Sequence, residues 1–113
     1  MKPMNEFESL VNFLSYYSTK DLFYIRDRFV KFINTKELCY FRVAILCIEY
    51  RERVLLAKLL GVTQSTLVDW SSGSMFYAGS ISISYALRIS KLVIKAIDEA
   101  YNKKHLTHLT SLK

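Results

Sequence analysis

Arg53-Val-Leu-Leu-Ala57-Lys-Leu-Leu-Gly61-Val62-Thr-Gln-Ser-Thr-Leu67-Val-Asp-Trp70-Ser-Ser-Gly73 is the stretch on which the reading of this chain turns. Ala57 is small, so two helices can cross closely beside it. Gly61 follows four residues later and supplies the positive φ that a tight turn between helices demands. Val62 anchors that turn in the core. Leu56, Leu60, Leu67 and Trp70 face inward and hold the helix pair at its angle. Thr63 is placed to cap the second helix, over about residues 63–72. The spacing predicts a helix-turn-helix, with Trp70 as a core side chain rather than a wedge between bases.

The surrounding residues predict more helices. Phe7, Leu10, Val11, Leu14 and Tyr17 recur at helical spacing, which places a first helix over about residues 5–17. Ser18-Thr19 breaks it, and Thr19 is the expected N-cap of a second helix ending near Ile33. Leu22, Ile25, Phe29 and Ile33 make its apolar stripe, and Asp27 and Lys31 can pair on its polar face. Asn34-Thr35 is the next break, with Thr35 as cap. The third stripe is Leu38, Phe41, Ile45 and Ile48, with Arg42 and Glu49 off it. A last long helix starts near Ser82 or Ser84 and ends near Lys103. Its apolar residues, among them Leu87, Ile89, Leu92, Val93, Ile94 and Ile97, cover more than one face, which predicts burial on several sides, as against a partner chain. Residues 80–85 also alternate with period two, a strand signal that would need a partner strand, such as one supplied across a dimer.

These readings give an all-α fold of five to six helices around a central helix-turn-helix. Residues 1–37 form an N-terminal helical extension, expected to serve association. Residues 38–104 form the helix-turn-helix domain, and residues 105–113 a flexible basic tail. With 113 residues, of which 51% are hydrophobic, one domain can bury a core without staples. One proline and three glycines are too few for the many turns of an all-β fold.

The net charge is +6. Residues 1–37 carry six basic and five acidic side chains, residues 38–73 four and three, and residues 74–113 six and two. The excess thus lies in Arg88, Lys91, Lys95, Lys103, Lys104 and Lys113, which fits a polyanionic partner. Cys39 and Cys47 read as free core thiols in a reducing cytoplasm. No apolar run reaches the roughly 18 residues of a membrane span, and residues 1–6 have no signal core. Nothing suggests an enzyme or a cofactor: no histidine precedes His105, and His105 and His108 lack a third metal ligand nearby. The aromatic side chains of the N-terminal half, Tyr16, Phe23, Tyr24 and Tyr40 among them, are most simply core or interface.

A recognition helix held rigidly at its base sends its first side chains toward base edges in the major groove. By spacing those are Gln64, Ser65, Val68 and Asp69. Gln64 can bond adenine bidentately, Ser65 a base edge or a phosphate, and Val68 can pack on a thymine methyl. Phosphate contacts would come from Arg51, Arg53, Lys58, Thr63 and Arg88, because residues 59–87 contain no lysine or arginine.

Leu56-Ala57-Lys58, Leu60-Gly61-Val62, Gln64-Ser65, Trp70-Ser71-Ser72-Gly73, the later Leu87-Arg88-Ile89-Ser90-Lys91-Leu92 and Phe41-Arg42 together resemble the lambda Cro/repressor-like helix-turn-helix family, also called the xenobiotic-response-element type, over roughly residues 38–97. The resemblance implies a four- or five-helix domain, usually dimeric, of a phage or bacterial regulator that binds a pseudo-palindromic operator in double-stranded DNA. It also implies base-reading residues at Gln64, Ser65, Val68 and Asp69. The chain departs from that pattern in its missing basic residues, in Asp69 on the recognition helix and in residues 1–37. Those departures keep a second expectation open: a protein-interaction module on the same scaffold, such as a co-regulator, an antagonist or a phage-type inhibitor.

Overall fold

The computed structural model describes residues 5–63 and 82–111, with side chains through residue 105. Among the described residues there are five helices and no strand: α1 (Glu6–Leu14), α2 (Thr19–Thr35), α3 (Leu38–Leu46), α4 (Tyr50–Leu60) and α5 (Ile83–Ser111). The all-α expectation holds.

Each helix start has a local cause. The Asn5 side chain accepts from the Glu8 backbone N–H at 2.8 Å, and Glu6 and Glu8 put negative charge at the positive end of the α1 dipole. Ser18, not Thr19, caps α2: its backbone is extended and its hydroxyl accepts from the Asp21 N–H at 3.0 Å. Thr35 is the last residue of α2 rather than the cap of α3, and its hydroxyl donates back to the Lys31 carbonyl at 2.8 Å. Lys36 then reverses the chain in the left-handed region, at φ 62°, with its N–H on the Phe32 carbonyl at 2.7 Å. The period-two alternation yields to helix: from Ser82 onward the backbone is committed to α5, with the Ser82 hydroxyl accepting from the Tyr85 N–H at 3.1 Å. α5 also continues to Ser111, past the end its apolar pattern suggested near Lys103.

α5 is the central element. It packs against α1, α2 and α3, while α1 covers α4 and α2 covers α3. That arrangement explains the breadth of its apolar surface, because Ala86, Ile89, Val93, Ala96, Ile97 and Ala100 are buried against the chain's own helices. Such a surface reads as needing a partner only when the helix is judged alone. The first two helices, expected as an extension, share one core with the rest: Leu10, Leu14, Leu22, Ile25, Phe29 and Phe32 are fully buried in the same cluster as Phe41, Ile45, Leu56 and Ile89. Phe41 is its aromatic centre, with ring centroids 6.1 Å from Phe29 and 5.5 Å from Phe32. The stripe of α2 therefore ends on Phe32, and Ile33 is only partly covered.

The third stripe also differs from expectation. α3 ends at Leu46, and Ile48, though buried, lies in the break before α4. Cys39 is exposed and Cys47 half-buried, so neither is a core thiol, although both are free. Burial pushes the Cys47 thiol pKa up. Cys39 shares its helical face with the exposed Val43 and Leu46, opposite Phe41, Ala44 and Ile45.

Candidate nucleic-acid interface

The first helix of the expected motif is α4, and the turn that ends it has the geometry the sequence demands. Gly61 lies in the left-handed region, at φ 70° and ψ 26°. The Val62 N–H bonds the Ala57 carbonyl at 3.0 Å, and the Gly61 N–H bonds the Lys58 carbonyl at 3.3 Å. These are the paired closing bonds of a Schellman motif, which satisfies the last carbonyls of α4 and turns the chain away from its axis. Leu56 and Ala57 are buried, and Leu60 and Val62 are half-buried against the core, in keeping with their expected packing roles. The Tyr85 hydroxyl donates to the Leu60 carbonyl at 3.3 Å and so ties the start of α5 to the turn. Leu67, Trp70 and the base-reading candidates Gln64, Ser65, Val68 and Asp69 lie outside the described residues.

Gly61 is needed for its backbone and not for room. A Cβ added there would meet nothing within 4 Å. Gly61→Ala should therefore lower stability by about 1–2 kcal/mol, the left-handed penalty alone. A urea melt measures it. A loss well above that range would mean that the position is also sterically closed.

The five candidate phosphate contacts divide. Arg51 is turned into its own helix: its Nε lies 3.2 Å from Glu52 Oε1 and 3.8 Å from Glu49 Oε2, and its guanidinium sits 4.4 Å from the centre of the Phe13 ring. Arg53 is half-buried. Lys58, Thr63 and Arg88 are exposed. Lys58 is in the last turn of α4, Thr63 is two residues past Gly61, and the Arg88 guanidinium lies 5.6 Å from the centre of the Tyr85 ring. Arg51 is exposed as well, but at the opposite end of α4 and bonded to those carboxylates, while the other exposed candidates lie at the turn end.

Two side chains at the opposite end of α4 escaped sequence reasoning. Glu52 is fully buried, which nothing in the run Arg51-Glu52-Arg53 signals, since such a run reads as a solvated face. Tyr17, expected only as an apolar stripe member, accepts from the Glu49 N–H at 2.9 Å through its hydroxyl oxygen. Burial, opposed by that bond and reinforced by the charges of Glu52 and Glu49, pushes its pKa up to about 12. Tyr17 thereby fixes the first turn of α4 to the junction between α1 and α2.

Comparison with protein-family models, with curated proteins and with solved structures finds no match. Among the described residues no helix is long and apolar enough to cross a membrane.

Proposed function

We propose that this chain is a cytoplasmic, sequence-specific DNA-binding regulator of transcription, acting as a homodimer or within a larger regulatory complex. One observation carries the reading: α4 ends in a left-handed Gly61 whose closing bonds run from Val62 to Ala57 and from Gly61 to Lys58. The helix-turn-helix pattern needs that turn at that position, and the residues after it are those that the Cro/repressor resemblance assigns to base reading. Gln64, Ser65, Val68 and Asp69 read base edges, while Lys58, Thr63 and Arg88 hold phosphates. Arg51 contributes little, because its guanidinium is engaged by two carboxylates.

Selection from a random-sequence duplex pool at two salt concentrations tests the reading. Recovery of one sequence, bound less tightly at the higher salt, supports it. No retention at low salt would overturn it.

A dimer doubles the half-sites that a short recognition helix contacts. A dimeric or larger mass is the expected result of light scattering at micromolar concentration, and a monomeric mass would remove the homodimer from the proposal.

A second reading is favoured by a specific feature. Residues 59–87 hold no basic side chain, which leaves the segment after the turn without the charges that anchor DNA binders. On that reading the scaffold presents residues 63–84 to another regulatory protein. Retention of a protein partner, but of no DNA, distinguishes the two.

A further inference from the structure

Arg88, Lys91 and Lys95 are all exposed, and they stand at i, i+3 and i+7 along α5, so they share one face of it. Residues 70–97 contain no acidic residue. Asp98 continues the same face one turn beyond Lys95, but its carboxylate is taken up by Arg26 at 2.7 Å, and Glu99 follows it at the end of the stripe. Among the described residues none of the three cations makes an ion pair; Arg88 lies over the Tyr85 ring and Lys95 over the Phe7 ring, with its ammonium 5.3 Å from the ring centre. An aromatic face supports a cation without using up its hydrogen-bond donors, which stay available to an anion. The stripe also has a fixed origin. Tyr85, which supports Arg88, is bonded to the Leu60 carbonyl beside the Gly61 turn.

We infer that Arg88, Lys91 and Lys95 form a phosphate track that binds the backbone of one DNA strand, beginning at the helix-turn-helix turn and running along α5. The inference rests on the DNA-binding reading above and adds where its electrostatic affinity comes from. From Arg88 to Lys95 the helix rises about 10 Å. One DNA strand offers a phosphate about every 3.4 Å along its axis, so the stripe spans about three. The track supplies from α5 the cations that residues 59–87 lack.

The test compares the salt dependence of binding to a random-sequence duplex between about 50 and 200 mM salt. The protein is set beside the triple variant Arg88→Gln, Lys91→Gln, Lys95→Gln and a charge-matched control on α2 and its C-cap, Lys20→Gln, Lys31→Gln, Lys36→Gln. The slope of log affinity against log salt should fall by about 2–3 in the stripe variant and barely change in the control. Lys91→Gln alone, at an exposed position, should lower it by about 1, and it keeps the test open if the triple variant folds poorly by circular dichroism. An unchanged slope in the folded stripe variants, or an equal fall in the control, would overturn the track and leave DNA binding standing. Failure of the unaltered protein to bind any duplex at the lowest salt would overturn both.

Discussion

A chain that begins at residue 38 should fail to fold, although the helix-turn-helix pattern lies wholly after that point. Removing α1 and α2 strips α5 of two of the three helices it packs against, α4 of α1 and α3 of α2. Of the main helix packings only that between α3 and α5 survives. Leu56 and Ile89 would lose the cluster that covers them, and helices as short as α3 and α4 are marginal without tertiary packing. Circular dichroism should show the truncated chain with much of its helix signal lost and no cooperative melt. Native helix content and a sharp transition in that fragment would show that residues 1–37 are an appendage after all.

The second large effect is expected at Phe41. Its ring is fully buried between Phe29 and Phe32, where α2 and α3 meet. Phe41→Ala should cost about 3–5 kcal/mol, the lost transfer energy plus the cavity that remains. That is a large share of the roughly 5–15 kcal/mol that holds a domain of this size together. Chemical denaturation measures it. A loss under about 1.5 kcal/mol, the scale of a tolerated hydrophobic swap, would mean that the aromatic cluster collapses into the gap and does not organise the core.

Helices were legible because their apolar residues repeat at helical spacing and because Ser, Thr and Asn mark the breaks. Boundaries were less so, for identifiable reasons. Ser18 and Thr19 are both competent caps, and which one serves depends on the backbone conformation that the preceding turn imposes. Phe32 displaced Ile33 from the α2 stripe because the larger ring meets Phe41, a contact that only the tertiary fold creates. The burial of Glu52 and the outward position of Cys39 were likewise set by neighbouring helices. So was the role of residues 1–37: each amphipathic helix announces that it needs a partner, but not which one. α5 illustrates the same point, since its broad apolar surface is met by α1, α2 and α3 within the chain. Of the candidate site, the Gly61 turn was legible, because its left-handed conformation is a matter of local backbone geometry. Which of the basic candidates is engaged within the chain was not, because a sequence does not show that Arg51 is held by Glu49 and Glu52.

The central claim is that the residues just past the Gly61 turn read DNA sequence, and Gln64→Ala tests it most directly. Binding of this variant and of the unaltered protein would be measured on the duplex selected from the random pool and on an unrelated duplex. A side chain that bonds a base bidentately contributes about 1–3 kcal/mol of discrimination. The variant should lose that much on the selected duplex and almost nothing on the unrelated one, whose binding comes from phosphates. Equal affinities of the two proteins on both duplexes, or an equal loss on both, would contradict the account.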